Sequence, residues 1–373
     1  MEYRQCKRCV MDNKGDSTIV FDANGYCNYC TDALQAKDVV YKPNAEGKAY
    51  LDKVFTELKE RRKNYKYDCM LGLSGGLDSD YAAYLCQTYG LRILALHIDD
   101  GLDAPVTTSN VKKICDAYGI NLIIERPNQE LFGDLTCAFI RAGVPNIAIP
   151  QDNVLFACLY KYAAENSIDC FINGSNFALE CILQRGNSYD ASDAAHLLAI
   201  WKHFGKKYDS TGLPIISTLK KRLYYGYLRK IQTIKPLNYV DYNAKNALEI
   251  LKETCGFEYY GDKHCESIFT KLMQRYYLPQ KFGVDKRSSH YSSMIISGQM
   301  TREEALERLH EPLYSPDELE KDIAFVLNRI GMTRVEFDGI MKQPPHAHNE
   351  YPVSMFNKYL PILLNVRRKL VKY

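Results

Sequence analysis

A glycine-rich segment at residues 73–79, with the sequence LSGGLDS, combines the residue types that bind an anion beside a metal ion. Two adjacent glycines allow a turn with positive φ and let backbone amides approach the anion closely. The serines add hydroxyl donors, and Asp78 offers a carboxylate for Mg²⁺, which would balance phosphate charge. Because the segment lacks the Gly-Lys-Ser/Thr ending of a Walker A motif, it argues against γ-phosphoryl transfer. The alternative is a Gly-Gly turn that only joins a strand to a helix.

Four cysteines near the start of the chain have the spacing of a metal site. Cys6 and Cys9 form one C-x2-C pair, and Cys27 and Cys30 form a second after 17 intervening residues. Four thiolates would close a tetrahedron around Zn²⁺ and leave no position for water. The sequence therefore predicts a structural zinc site. An iron–sulfur cluster and four unrelated thiols are the alternatives.

Two charged segments, residues 261–267 and 282–287, carry groups suited to phosphate or carboxylate contact. The candidates for catalysis or substrate binding are Lys263, His264, Glu266, Lys286 and Arg287. Lysine and arginine can stabilise a leaving pyrophosphate or a sugar-nucleotide phosphate. The histidine or the glutamate can accept a proton from an incoming amine. Composition alone favours the alternative, in which these residues form a solvated, salt-bridged surface.

The elements that must position these residues follow from the apolar pattern. Short apolar runs predict strands at 69–73, 92–98, 121–125 and 169–173. Helical segments are predicted at 50–63, 78–89, 111–118 and 153–165. Strands that alternate with helices at this spacing indicate parallel βαβ units, and so an α/β fold with a doubly wound parallel sheet.

Beyond residue 239 the strand signal fades and helix-capping pairs recur, the first formed by Thr301 and Glu304. The C-terminal third is therefore predicted to be helical. The predicted organisation has three parts: a four-cysteine module at 1–45, an α/β domain at 46–240, and a mainly helical substrate or partner region at 241–373.

The carboxyl ends of the strands in a doubly wound sheet are where ligands bind. The second predicted strand ends in HIDDG and the fourth in NGSN. The residues that this rule brings near a nucleotide or substrate are His97, Ile98, Asp99, Gly174, Asn176 and Glu180. The alternatives are solvated turn residues after the second strand and a plain strand-to-helix turn after the fourth.

Composition excludes some function classes. The chain has 373 residues, of which 46% are hydrophobic and 25% charged, as in ordinary globular proteins. A net charge of only +3 does not favour nucleic-acid binding. No apolar run reaches the ~18 residues needed to span a bilayer, and the segment MEYRQCKRC does not resemble a signal peptide. We expect a cytoplasmic protein without membrane insertion, whose 13 cysteines are mostly thiols or metal ligands.

The SGGxDS segment after a buried strand resembles the signature of the ATP-pyrophosphatase (PP-loop) superfamily. This resemblance implies an adenine-nucleotide α-hydrolase-like fold that binds ATP and Mg²⁺ and releases pyrophosphate, leaving AMP on a substrate oxygen. It also implies that the backbone around Ile98 meets the adenine. The loop residues expected to contact ATP are Ser74, Gly75, Gly76, Leu77, Asp78 and Ser79, with Asp78 also holding magnesium.

Longer segments narrow the resemblance. The motifs are CKRCVMDN, FDANGYCNYC, LGLSGGLDSDYAA, PLNYVDYN, GDKHCESIFTKLMQRYYLPQKFGVDKR and SGQMTREEAL. Together they resemble the N-acetyl sugar amidotransferases of O-antigen and pseudaminic-acid-type surface glycan biosynthesis, over most of the chain. The resemblance implies zinc at the four cysteines and supports the five charged C-terminal candidates. Cys265 stands where a larger polar or aromatic residue is expected, which leaves the roles of its neighbours open.

The resemblance also implies a reaction. ATP would activate the carbonyl oxygen of an acetamido group, on a nucleotide-linked sugar or a nonulosonate, as an adenylate. Ammonia would then displace AMP and leave an acetamidino group. The ammonia is expected from a separate glutaminase subunit, with a synthase-like partner, since the chain starts Met1-Glu2 and shows no N-terminal nucleophilic cysteine.

Two other functions stay open at this point. A tRNA-modifying PP-loop enzyme would gain from a strongly basic surface and a C-x2-C pair inside the α/β domain, and the sequence has neither. A non-catalytic nucleotide- and zinc-binding scaffold for a glutaminase would not need the intact loop with Asp78.

Overall fold

The computed structural model describes residues 2–261 and 265–359. Its strands are β1 (Cys69–Gly72), β2 (Ile93–Ile98), β3 (Asn121–Glu125), β4 (Cys170–Ile172) and β5 (Gln232–Ile234). The helices of the first two thirds are α1 (Asn28–Val40), α2 (Ala45–Arg62), α3 (Leu77–Thr88), α4 (Pro105–Tyr118), α5 (Gln129–Ala142), α6 (Ile149–Glu165), α7 (Phe177–Glu180), α8 (Ala194–Phe204) and the π-helix Lys220–Leu228.

The remaining described residues are mainly helical. The helices are α9 (Ala244–Cys255), α10 (Ile268–Leu272), α11 (Leu278–Phe282), α12 (Arg287–Ser297), α13 (Arg302–Leu309), α14 (Pro316–Ile330) and α15 (Arg334–Lys342), with a π-helical turn at Met273–Tyr277 and 3₁₀ turns at Pro236–Tyr239 and His348–Glu350. Thr301 and Glu304 form the predicted capping box, and Ser315 and Thr333 cap α14 and α15. The predicted helical C-terminal region is confirmed.

The five strands form one parallel sheet in the order β3-β2-β1-β4-β5. Leu71 lies in register with Ala95 on one side and with Ile172 on the other, so β1 is central. The chain order reverses on either side of β1, which makes the β1/β4 boundary the switch point of the sheet. The predicted α/β fold class is confirmed. The fifth strand was not predicted, because Gln232 and Thr233 are exposed and form no apolar run.

Helices cover both faces of the sheet. They are needed on both faces because successive apolar side chains of β1 point to opposite sides. Leu71 packs into a core with α2, α3, α4 and α9, whereas Met70 points to the opposite core with α5, α6, α8 and α14. The four cysteines of the N-terminal module belong to the first of these cores. Helix α5 was not predicted, and α4 begins six residues before the predicted start, at Pro105. Among the described residues, no helix is both long and apolar enough to cross a bilayer.

Candidate functional site

The glycine-rich loop connects β1 to α3 at the switch point of the sheet. Gly75 has φ +71°, and a Cβ there would lie 2.5 Å from atoms of Thr107. Only glycine fits this conformation and this contact without strain. Gly76 then caps α3 in an extended conformation, so the first turn of α3 begins directly at the loop. The arrangement places the N-terminus of α3 directly at the loop, which favours anion binding there.

Hydrogen bonds between the two serines hold the loop. The Oγ atoms of Ser74 and Ser79 are 3.1 Å apart, and the Gly76 amide donates to Ser74 Oγ at 3.2 Å. Ser79 Oγ also lies 3.0 Å from the Gly76 carbonyl oxygen. The turn after β4 packs against this assembly, since a Cβ on Gly174 would lie 2.7 Å from the Asp78 carbonyl oxygen. The loop is therefore held in shape by contacts within the protein.

A cavity of about 710 Å³ opens beside the loop. Its lining includes loop residues Ser74, Gly76, Leu77, Asp78 and Ser79, the β4 turn residue Gly174, and Glu180. It also includes three of the C-terminal candidates, Glu266, Lys286 and Arg287. The structure thus brings together groups that are far apart in the sequence. The other two candidates, Lys263 and His264, lie outside the described residues.

The residues at and after the end of β2 do not line this cavity. His97, near the end of β2, instead holds the chain at the start of the loop through a hydrogen bond. Its Nδ1 lies 2.9 Å from the Leu73 carbonyl oxygen, which can only accept, so Nδ1 carries the proton. Burial lowers the pKa of His97, and the ring is therefore neutral at physiological pH. Asp99 pairs with Arg126 at 2.8 Å. Ile98 is likewise not among the lining residues.

Asn176 has a local role at the start of α7. Its Oδ1 accepts from the Leu179 amide at 3.0 Å, and its Nδ2 donates to the Gly174 carbonyl oxygen at 3.3 Å. The side chain is buried and lines a neighbouring cavity of about 420 Å³, which it shares with Glu180. Asn176 therefore shapes the turn between β4 and α7 that contains Gly174.

An apolar wall, which the sequence analysis did not identify, forms one side of the main cavity. Four half-buried residues of α6 and two residues of the sheet contribute to it: Leu155, Phe156, Leu159, Tyr160, Met70 and Phe171. The α6 residues are spaced by one, three and one, which places them on one helical face. That spacing was the available signal, but it does not distinguish a cavity wall from an ordinary core face. Such a wall suits a planar base or a sugar.

Glu266 is held against the loop by backbone contacts. Its carbonyl oxygen accepts from the Ala104 amide at 2.9 Å and from Thr107 Oγ at 2.8 Å. A Cβ on Gly76 would lie 3.1 Å from Glu266 Oε1. The carboxylate therefore borders the anion site and adds negative charge there.

Two tyrosines, one buried and one half-buried, contact the loop directly, and neither was identified from the sequence. The Tyr242 hydroxyl donates to Asp78 Oδ1, and the Leu77 amide donates to the Tyr260 hydroxyl at 2.8 Å. Burial raises the pKa of both tyrosines, so both hydroxyls stay protonated at neutral pH. Tyr242 lies within the PLNYVDYN motif, and this contact gives that motif a physical role.

The two cations at the start of α12 have different surroundings. Arg287 forms a bidentate pair with Asp285, with its Nη2 2.8 Å from Oδ2, and also donates to the carbonyl oxygens of Leu309 and Glu311. Desolvation lowers the pKa of Lys286, while the Asp16 carboxylate opposes this shift. Arg287 is thus engaged in fixing the local backbone, and Lys286, which also lines the cavity, is the candidate to meet a phosphate.

The four predicted zinc ligands converge. All four Sγ atoms are buried and lie within 4.8 Å of one another. The Cys6–Cys30 and Cys9–Cys27 sulfur pairs are 3.7 and 3.6 Å apart. A tetrahedron with Zn–S bonds of about 2.3 Å has edges of about 3.8 Å, so the residues fit a closed zinc site. Backbone amides, including that of Cys27 at 3.2 Å from Cys6 Sγ, would stabilise the thiolates.

The four-cysteine module docks on the C-terminal helices. Arg302 donates to the carbonyl oxygens of Cys6 and Cys9, each at 3.1 Å. The Val10 amide donates to Ser292 Oγ on α12 at 3.2 Å. Since α12 begins at Arg287, the module supports the helix that carries the cationic edge of the cavity.

Similarities to known proteins agree with the C-terminal part of this description. Residues 266–363 match the family described as LPS biosynthesis protein WbpG-like, C-terminal domain, where LPS is lipopolysaccharide. That segment starts at Glu266 and includes Lys286 and Arg287.

Solved structures give weaker similarities. An NH3-dependent NAD synthetase from Campylobacter jejuni is 18% identical, with a TM-score of 0.31 over 56% of this chain and 93% of that one. An NMN synthetase from Francisella tularensis is 18% identical, with a TM-score of 0.29 over 76% and 93%. An NAD+ synthetase from Burkholderia pseudomallei is 13% identical, with a TM-score of 0.30 over 61% and 96%. TM-scores this low do not establish a common fold, so the architecture rests on the strand order and the loop. The match of residues 266–363 agrees with the predicted resemblance to proteins of surface-glycan biosynthesis: this segment is similar to the C-terminal domain of WbpG-like LPS biosynthesis proteins.

Proposed function

We propose that the protein is an ATP-dependent amidotransferase that converts the acetamido group of a nucleotide-linked sugar into an acetamidino group. One observation carries this proposal. The glycine-rich loop with Asp78 and the C-terminal residues Glu266 and Lys286 line the same cavity of about 710 Å³. That volume lies within the range of small-molecule sites, and the lining offers both an apolar wall and a charged edge.

The first step is adenylation of the acetamido carbonyl oxygen. That oxygen attacks the α-phosphorus of ATP, the bond between the α-phosphorus and the bridging oxygen breaks, and pyrophosphate leaves. The N-terminus of α3 and the hydroxyls of Ser74 and Ser79 would hold the β,γ-pyrophosphate. Asp78 would hold Mg²⁺, which neutralises phosphate charge when bound. Lys286 would add positive charge at the edge of the cavity next to the start of α12.

The second step replaces the activated oxygen by nitrogen. Ammonia attacks the acetamido carbon, the C–O bond breaks, and AMP leaves with the original oxygen. The nitrogen of the attacking ammonia must lose a proton. Among the described residues, the Glu266 carboxylate beside the loop is our candidate to accept it. The apolar wall from α6 would limit water around the adenylate, which hydrolysis would otherwise consume.

The ammonia would come from a separate glutaminase subunit accompanied by a synthase-like partner, and the whole reaction would take place in the cytoplasm. This part of the proposal rests on the motif resemblance. It predicts that glutamine supports turnover only when the partner is present, whereas ammonium salts support it with the protein alone.

The test is turnover with ATP, ammonium chloride and a panel of UDP- and CMP-linked acetamido sugars, followed by mass spectrometry. Exchange of an oxygen atom for an NH group lowers the product mass by one mass unit, and AMP and pyrophosphate should accumulate in equal amounts. AMP formation with a tRNA substrate and with no sugar of the panel would instead favour the RNA-modifying alternative. No AMP with any substrate would favour a scaffold.

A further inference from the structure

A strongly basic helix lies on the surface next to the cavity. We call residues 219–230, which contain the π-helix Lys220–Leu228, the basic helix. From 210 to 240 the chain has no aspartate or glutamate and has six lysines and arginines, although the entire chain carries a net charge of only +3. The positive charge is therefore concentrated in this part of the surface.

The same helix exposes large apolar side chains. They are Leu219, Leu223, Tyr224, Tyr227 and Leu228, with exposed fractions of 51, 49, 42, 75 and 67%. Their spacing of four, one, three and one residues places them along a single helical face. Tyr225 is buried and Lys221 is half-buried, so these two lie on the opposite face. The helix thus presents an apolar stripe to solvent with basic residues on both sides of it.

Contacts on the inner face fix this orientation. The Tyr225 ring stacks on Tyr160 of α6, with centroids 4.5 Å apart. Lys221 Nζ lies 3.7 Å from the centroid of the Phe156 ring and donates to Ser192 Oγ at 2.9 Å. Because the inner face is anchored to α6, the apolar stripe cannot turn inward without breaking these contacts. Its exposure is a feature of the folded protein.

We propose that the basic helix docks the protein on an anionic phospholipid surface. Leucine and tyrosine side chains flanked by lysine and arginine are the composition of helices that lie in the membrane interface. The apolar stripe would enter the headgroup region, and Lys220, Arg222, Arg229 and Lys230 would contact lipid phosphates. A segment that contains no aspartate or glutamate from 210 to 240 complements a uniformly negative surface better than the mixed charges of a typical protein interface do.

Docking would bring the cavity close to the bilayer. Lys221, Phe156 and Tyr160 line the cavity and also contact the basic helix or belong to it. The inference does not rest on the proposed reaction, because charge and exposure on the outer surface carry it.

The experiment is co-sedimentation of the full chain with vesicles of phosphatidylethanolamine and phosphatidylglycerol, compared with vesicles of phosphatidylcholine alone. We expect binding to the anionic vesicles only, and loss of that binding at high salt. The double variant Lys220→Glu/Arg222→Glu should weaken the binding by about tenfold or more. Its matched control is Lys48→Glu/Lys53→Glu on α2, where both side chains are more than 70% exposed and the net charge changes equally.

A second pair of variants tests the apolar stripe. Leu228→Ser should weaken vesicle binding, whereas Val335→Ser on α15, at a site that is 83% exposed, should not. Unchanged thermal melting in each variant separates docking from folding. The proposal is wrong if the wild-type chain stays in the supernatant with anionic vesicles, or if the basic-helix variants bind as well as their controls. A third outcome is that the wild-type chain does not bind vesicles, while the basic-helix variants lose glutamine-dependent turnover with the glutaminase partner. That result would assign the surface to a protein partner instead.

Discussion

Two regions of the molecule are suited to hold ions, and they differ in how the chain builds them. The four-cysteine module gathers four buried cysteines between Cys6 and Cys30, enough to fill the tetrahedral shell of a zinc ion. The cavity beside the loop takes Asp78 from the α/β domain and Glu266 and Lys286 from the C-terminal helices, and it stays open. A closed site can be built locally, whereas an open site for a reaction needs groups that converge from distant elements.

The two regions are in contact but should respond differently to damage. The module holds α12 through Ser292 and α13 through Arg302, and α12 begins at the cationic edge of the cavity. Loss of the metal site should therefore reduce stability first and chemistry second. Changes at the loop should do the reverse. The following variants test this contrast, from the largest expected effect to the smallest.

Cys27→Ser should remove zinc and lower the free energy of unfolding by about 4 kcal/mol or more, because metal binding to a closed site contributes directly to folding. The measurements are metal content by elemental analysis and thermal melting. Turnover per folded molecule should change little. Cys255→Ser, at a cysteine outside the cluster, is the control and should keep its zinc. A Cys27 variant that melts like the wild type would contradict a structural metal.

Asp78→Ala should lower ATP-dependent AMP formation by about 10²–10³-fold, since the loop loses the carboxylate expected to hold magnesium. Melting should stay close to that of the wild type. Asp116→Ala, at an exposed position near the end of α4, removes the same group outside the cavity and should keep full activity. Near-normal AMP formation by the Asp78 variant would remove the loop from the mechanism.

Much of this contrast could be predicted from the sequence because it depends on local patterns. Cysteine spacing located the metal cluster, and the apolar run before LSGGLDS located β1 and the loop. The strands β1 to β4 were predicted to within one or two residues, because buried parallel strands form continuous apolar runs. Strand β5 has only three residues and little apolar character, so the pattern that identified the others was absent.

The cavity was harder to predict because its wall depends on tertiary packing. Leu155 and Phe156 have the spacing of a core face, and only the gap between α6 and β4 makes them a cavity wall. Tyr242 and Tyr260 reach the loop from the region after the sheet, which no local pattern encodes. Conversely, the rule that ligands bind at strand ends favoured Ile98 and Asp99, and neither lines the cavity. Their roles stay predictions.

Gly75→Ala compared with Gly90→Ala separates backbone strain from the loop's function. Both glycines have positive φ, +71° and +70°, so each alanine should cost about 1–2 kcal/mol of stability. A Cβ at Gly75 would also collide with Thr107 at 2.5 Å, whereas at Gly90 it would meet no described atom within 4 Å. We expect only the Gly75 variant to lose AMP formation. If displacement of the loop costs a further ~1.4 kcal/mol, the rate of AMP formation should fall by about tenfold or more. Equal activities would show that the loop tolerates displacement.

Tyr242→Phe should have the smallest effect. It tests whether a residue that follows the sheet positions Asp78 in the loop. The variant keeps the buried ring but removes the hydroxyl that donates to Asp78 Oδ1. Hydrogen bonds to charged groups contribute about 1.5 kcal/mol or more, so the Mg²⁺ concentration for half-maximal rate should rise about tenfold. Tyr81→Phe removes the same group from a ring 5.5 Å away and should leave the Mg²⁺ dependence unchanged. If both variants need the same Mg²⁺ as the wild type, Tyr242 supports packing and does not position the carboxylate.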